Sequence, residues 1–459
     1  MRYHFFIEQT RTHEGAMAPR LSPEAMLERS LMACLLWEDS FYEGGVAIAD
    51  RLKALVPLCD PEQVVAMAVR AREEGRLRHA PLLLLRELAR HPARPKIANA
   101  LARVLQRADE PAEFLTLYWG EKKQPLSRQV KLGLAKALQK FDAYQLAKYD
   151  RSGLVRLCDV LFMVHAKPRD EEQATVWKQL AVGSLPSPDT WEVALSAGAD
   201  RQETFTRLLR EERLGYLALL RNLRNMVEAG VDMHLIAKAL RTGAVRSRAL
   251  PFRFVAAAKA APVFEPELDQ AMQMTLATLA PLPGKTAVVV DVSGSMFDPL
   301  SRRGELTRLD AASALAVLLT GIAENTRVFS FSDTLQEVPA RKGLALRDAI
   351  TDSQPHNGTY LGRALAVLPG EYDRLVVITD EQSADTIPPP RGKGYIVNVG
   401  SYQNGIGYGQ WTHIDGFSES VVQYIQATEK NGVPRRCPER DGRCSGIGYR
   451  NDACGEMGY

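Results

Sequence analysis

Cysteine is scarce in this chain, six among 459 residues, and so is histidine, with eight. No apolar run approaches the roughly 18 to 20 residues needed to cross a bilayer as a helix. The opening MRYHFFIEQTRTHEG lacks the apolar centre and small-residue cleavage site of a secretory leader. The expectation is therefore a cytoplasmic protein. Cys34, Cys59 and Cys158 sit in apolar helical contexts and are expected to be buried thiols. Cys437, Cys444 and Cys454 fall at spacings of seven and ten, unlike the CxxC pairs of zinc modules. Charge of one sign is also missing: the formal net charge is only +3, so the distribution of charge carries any argument about polyanions.

What is present is an ordinary soluble composition, 46% hydrophobic and 25% charged, over a length that suits two or three domains. One stretch organises the rest. Thr286 to Met296 reads TAVVVDVSGSM, a compact β-branched run ending in Asp291, Ser293 and Ser295. The run has the composition of a strand buried on both faces of a parallel sheet. The polar ending suits a hard divalent cation such as Mg²⁺, which takes about six oxygens and keeps some of its waters. Taken alone, the pattern also fits a solvated turn. Two further pieces favour the cation: Asn357-Gly358-Thr359 offers a hydroxyl before an apolar-periodic segment, and the run LVVIT delivers Asp380 at its end. In open α/β sheets, ligands gather outside the carboxyl ends of the strands.

Residues 1–20 are uninformative. From Ser22-Pro23 to about 275 the text is helix after helix, with apolar residues at three-to-four spacing and almost no strand signal. One of these helices is expected to run unbroken from Tyr216 to Glu228. Many short helices without a sheet suggest stacked pairs in the manner of HEAT repeats, here without a clean period. A Pro-bearing stretch at 261–285 reads as a domain boundary. Strand and helix then alternate, which implies a doubly wound parallel sheet with helices on both faces. The expected organisation is a segment at 1–20, an all-α helical-repeat region at 21–275, an α/β domain at 284–428 and a polar tail at 429–459.

The positive charge is concentrated. Between Arg201 and Lys259 there are twelve Lys/Arg against five Asp/Glu, a local balance of 12 − 5 = +7. A charged helix face is commonly just a wet face. Here, however, Arg221-Asn222-Leu223-Arg224-Asn225 puts Arg221, Asn222 and Asn225 at helical neighbour spacings. Arg241, Arg246, Arg248 and Arg253 surround a Gly and a Pro near helix ends. Such clusters contact phosphates, and arginine also stacks on unpaired bases of single-stranded RNA.

Asp291, Ser293, Ser295, Thr359 and Asp380 resemble, position by position, the metal-ion-dependent adhesion site of the von Willebrand factor A fold. The phrases GRLRHAPLLLLREL, FDAYQLAKY, VHAKP, LLRNLRNMVEAGV, SRALPFRF and GYGQWTHIDGFSESVVQYI resemble the Ro60 family over most of 18–428. That resemblance implies a TROVE module, a closed ring of HEAT-like repeats, followed by a Rossmann-like von Willebrand A domain. It implies a non-catalytic clamp for noncoding RNA. Y RNAs would bind the outer basic face, and the single-stranded 3′ ends of misfolded RNAs would enter the hole. It also implies a monomer, no DNA and no membrane, and an exoribonuclease partner such as polynucleotide phosphorylase. Of the family's Y RNA contacts, Lys148 and His165 match, with Lys167 beside the latter. Ser152 stands at the arginine's spacing, and Arg151 lies one residue earlier. A second function class remains, a metal-dependent protein-adhesion module with a peptide-binding helical solenoid. An enzyme is the third class, and it is not favoured, because VSGSM is not a nucleophile elbow and the carboxylates are too few for a two-metal nuclease.

Overall fold

The computed structural model describes residues 11–18, 20–32, 45–75, 77–120, 122–150, 153–247, 249–300, 305–400, 402, 404–416 and 421–430. Arg151, Ser152, Arg248, Cys34 and the tail cysteines Cys437, Cys444 and Cys454 lie outside the described residues. The chain divides into two compact units, Met1–Val421 and Val422–Tyr459. Among the described residues, no helix is long and apolar enough to cross a membrane.

Seventeen helices precede the first strand among the described residues: α1 (Pro23–Met32), α2 (Gly45–Leu55), α3 (Pro61–Glu73), α4 (His79–Arg90), α5 (Ala98–Val104), α6 (Glu110–Trp119), α7 (Arg128–Leu138), α8 (Ala143–Tyr149), α9 (Leu157–Val164), α10 (Glu171–Val182), α11 (Trp191–Ser196), α12 (Arg201–Arg210), α13 (Tyr216–Arg221), α14 (Leu223–Glu228), α15 (Met233–Gly243), α16 (Pro251–Ala260) and α17 (Glu265–Leu276). Aspartate begins many of them. Asp60, Asp142, Asp170 and Asp200 each accept a hydrogen bond from the backbone N–H three residues on, satisfying a donor that helix geometry leaves orphaned. The apolar stripes of α1 to α10 meet in one core running from Leu27 to Leu180, with Leu82, Leu83, Leu84 and Leu85 of α4 at most 1% exposed.

Then follow β1 (Leu282–Asp291), α18 (Arg308–Ile322), β2 (Ala323–Phe331), β3 (Leu335–Glu337), α19 (Gly343–Thr351), α20 (Leu361–Ala366), β4 (Arg374–Thr379), β5 (Lys393–Asn398), β6 (Thr412–Asp415) and α21 (Val421–Lys430). The sheet order is β3-β2-β1-β4-β5-β6, parallel except for β3. The expected fold class, a helical-repeat region followed by a doubly wound α/β domain, is what the chain adopts. α18 explains its own composition. It is packed against β1, β2, α16 and α19, and nearly every residue from Arg308 to Leu319 is buried. A helix apolar all round is a helix covered all round.

Two expectations need correcting. The stretch 261–285 is not merely a connector, for it contains α17, whose Pro266 occupies the first turn, where no N–H partner is lost. Helix 216–228 is broken at Asn222, which is 2% exposed and does not lie on the surface with Arg221. Its side-chain amide donates to Ala218 O at 2.8 Å, competing with the backbone bonds that would carry one helix through.

Both ends of the helical region meet the α/β domain. At one end α17 packs on α18 and α19, and Asp269 accepts from Leu344 N at 2.7 Å, capping α19. At the other, α1 reaches β6. Upstream of α1, Thr12 Oγ1 donates to Ser383 O at 2.9 Å, and His13 N donates to Gln382 Oε1 at 2.7 Å.

Candidate functional site

The strand order reverses about β1 and β4: the chain leaves β1 for β2 on one side and returns as β4 on the other. That switch point is where an open α/β sheet leaves a crevice. Asp291 ends β1 and Asp380 follows β4, and both are fully buried. Asp291 accepts from Ser293 N at 2.9 Å and from Thr379 Oγ1 at 2.5 Å. Ser295 Oγ donates to Asp380 Oδ2 at 2.7 Å and lies 3.4 Å from Ser293 Oγ. The loop carrying Thr359 comes to the same place. Gly294 N donates to Asn357 O at 3.3 Å, the His356 ring bonds Val292 O at 2.8 Å, and Thr359 O accepts from Ala384 N at 2.9 Å. Asp291, Ser293, Ser295 and Asp380 thus lie around one crevice, with the loop that carries Thr359 packed beside them.

The chemistry of this donor set suits a hard cation. Among the described residues there is no cluster of three or more His, Cys, Asp or Glu placed for a metal. The loop offers instead two carboxylates and three hydroxyls, all hard oxygens. Burial, and then the neighbouring Asp380 charge, push the Asp291 carboxyl up to about 7, against the bonds from Ser293 and Thr379 that oppose the rise. Positive charge is what such a pair wants.

Two arrangements beside the loop have no local sequence signal. Arg308, the first residue of α18, is 3% exposed, and its Nη1 lies 3.3 Å from Ser295 O and 3.4 Å from Asp380 Oδ2. Glu381, next to Asp380 and at φ 63°, receives the Arg29 guanidinium from α1. The same guanidinium donates to Tyr402 O at 2.6 Å, Asn404 O at 3.1 Å and the Tyr408 hydroxyl at 3.3 Å. His413 bridges Glu381 at 2.6 Å and Asp415 at 3.3 Å. Burial works against its charge, but Asp415 and Glu381 carry it up to about 9. Burial likewise opposes ionised Glu381, yet His413 and Arg29 hold it down at about 2.

α13, which ends in Arg221, packs on α15, which carries Arg241 and precedes Arg246, and on α16, which carries Arg253. Tyr216 of α13 donates to Leu240 O of α15 at 2.9 Å and tilts against Phe254 of α16, with ring centroids 6.2 Å apart. Arg241, Arg246 and Arg253 are exposed near that contact, and Arg221 is exposed at the far end of α13. Arg224 is differently engaged. It donates twice to Glu305, at 3.0 and 2.6 Å, and to Ala260 O at 3.2 Å. Arg241 lies 3.9 Å from Glu267. Lys148, His165 and Lys167 are on another part of the helical region. Lys148 is half-buried, with Nζ 3.4 Å from Glu192. His165 ends α9 at φ 52°, exposed, and Lys167 is exposed in the turn that follows. Arg151 and Arg248 fall outside the described residues.

The TROVE domain family matches residues 169–311, from the turn before α10 into the first residues of α18. Telomerase protein component 1 of Rattus norvegicus is 27% identical over 230 residues, 47% of this chain and 8% of that protein. The Mus musculus protein of the same name is 27% identical over 241 residues, 48% of this chain and 9% of that protein. The chain thus spans less than a tenth of the length of these relatives. The crystal structure of the Deinococcus radiodurans Ro (Rsr) protein superposes with a TM-score of 0.60 at 18% identity, covering 90% of this chain and 100% of that one. Residues 169–311 thus match the TROVE domain family, within a chain that shares the fold of a Ro protein.

Proposed function

We propose that this chain is an RNA-binding scaffold that makes and breaks no covalent bonds. The observation that carries the proposal is the layer of exposed arginines on α13, α15 and α16. Among the described residues, Arg221, Arg246 and Arg253 enter no ion pair and so are open to phosphates. Phosphate neutralisation gives affinity, and unpaired bases stacking on guanidinium planes favour single strands. Structured noncoding RNAs of the Y RNA kind would lie on this face and on the surface around Lys148, His165 and Lys167. The single-stranded 3′ ends of misfolded RNAs would be held within the helical region. The role is in RNA quality control or decay, with the protein acting as a cytoplasmic monomer that hands RNA to an exoribonuclease such as polynucleotide phosphorylase. Names of relatives that include telomerase agree with an RNA partner without specifying it.

The test is crosslinking in the native host and sequencing of the RNA that co-purifies. A short structured RNA or a ragged pool of misfolded RNAs supports the proposal, and an absence of RNA overturns it.

The convergence of Asp291, Ser293, Ser295, Thr359 and Asp380 favours a second, compatible activity, binding of Mg²⁺ or a similar divalent cation and through it adhesion to a protein partner. In such a site the hydroxyls touch the ion and the carboxylates supply its counter-charge directly or through water. Loss of a protein partner from Ser293→Ala or Asp380→Ala, with RNA retained, would separate this activity from RNA binding.

A further inference from the structure

A buried guanidinium is costly unless anions and carbonyls surround it. Arg308 shows where its compensation comes from. Its Nη1 is 3.3 Å from Ser295 O, 3.4 Å from Asp380 Oδ2 and 4.0 Å from Asp298 Oδ2. Two of those three groups belong to the cation loop. The carboxylate oxygen it approaches is the one to which Ser295 Oγ donates at 2.7 Å.

The backbone that carries Arg308 is fixed from several sides. Arg308 N donates to Asp298 O at 3.0 Å. Thr307 and Asp310 form a reciprocal cap, with Asp310 Oδ2 accepting from Thr307 N at 2.7 Å and Thr307 Oγ1 accepting from Asp310 N at 3.1 Å. Lys259 of α16 then ties Asp310 down at 2.7 Å. The first turn of α18 is thus held both by its own cap and by the helical region. The side chain has only its rotamers with which to leave Asp380, and it is 3% exposed.

From this geometry we infer that Arg308 is a resident counter-cation of the adhesion loop and competes with a divalent ion for Asp380. The inference rests on the cation proposal above and not on RNA binding. Two cations that share one buried carboxylate oxygen repel each other, and burial leaves that repulsion poorly screened by salt. Arg308 therefore lowers the affinity of the loop for its ion. A divalent ion gains both carboxylates but must work against the arginine.

The sign of the effect separates this role from a purely structural one. Were Arg308 only a strut, removing it would loosen the loop and weaken the ion. As a competitor, it strengthens binding when removed. The experiment is titration of the full chain with Mn²⁺, reading the free ion by electron paramagnetic resonance, for wild type, Arg308→Gln and Arg308→Lys. Arg308→Gln should bind about tenfold tighter or better, and Arg308→Lys, which keeps the charge, should stay within about threefold of wild type. Because Arg308→Gln can also cost stability, the Mn²⁺-dependent rise in melting temperature is measured in parallel. It should be larger in Arg308→Gln than in wild type. Binding by wild type with no gain in Arg308→Gln overturns this inference alone. No Mn²⁺ binding by wild type overturns the cation proposal and this inference with it.

Discussion

Arg29 of α1 and Glu381, the residue after Asp380, form an ion pair with 1% and 0% of their side chains exposed. Gly405 and Gly407 make room for it. A Cβ at Gly407 would stand 2.0 Å from Glu381 Oε1, and one at Gly405 would stand 2.1 Å from Glu381 Oε2. Breaking one partner of such a pair leaves the other charge buried, which typically costs about 3–5 kcal/mol. Arg29→Met should lower the free energy of unfolding by that order in urea denaturation. Arg29→Met combined with Glu381→Gln should recover part of the loss. Equal stability of wild type and Arg29→Met would show that the pair is not a fastening.

The same cluster gives a pH dependence through His413. Its folded-state value is raised from 6.5 to about 9, so the folded chain holds a proton that the unfolded chain has released. The stabilisation is complete below about 6.5 and is lost as pH rises through about 9. The displacement corresponds to at most about 3 kcal/mol. Melting temperatures measured between pH 6.5 and 10 should fall more in wild type than in His413→Gln, and parallel curves would refute the assignment.

For RNA, the arginines are not equivalent. Arg221→Ala, Arg246→Ala and Arg253→Ala should each weaken binding and reduce the slope of log affinity against log salt by about one. Arg224→Ala should change the slope less, because its guanidinium is already committed to Glu305. Fluorescence anisotropy with a single-stranded RNA over a range of salt concentrations distinguishes the two behaviours. Slopes that no variant alters would remove the arginine layer from the interface.

Mg²⁺ in excess should raise the melting temperature of the wild-type chain, since an ion at a hundred times its dissociation constant adds roughly 2.7 kcal/mol to stability. Asp380→Asn should abolish that rise. A rise of the same size in Asp380→Asn would place the ion somewhere other than the loop.

The sequence announced what is local. The β-branched run before Asp291 forms β1 because a strand buried on both faces has no polar alternation to hide. It did not announce what depends on partners far along the chain. Arg308 lies 72 residues from Asp380 and Arg29 lies 352 from Glu381, and neither stands in any periodic pattern. The stretch that holds α17 reads as a boundary because of its prolines and acids, although Pro266 sits where a helix tolerates it. β3 and β6 have three and four residues, too few for an alternation to register. Arg221 is exposed while its neighbour Asn222 is 2% exposed, with its amide turned to Ala218 O.

The joint between α1 and Glu381 also bears on biosynthesis. The segment holding Arg29 leaves the ribosome long before Glu381, His413 and Asp415 exist, and its buried charge has no partner until they are made. Helices α1 to α10 can collapse early on contacts close in sequence, whereas the Arg29 side chain of α1 must wait for a partner made some 350 residues later. Nascent chains halted before residue 381 should therefore leave the Arg29 face of α1 open to chaperones and proteases, and translation through β6 should cover it.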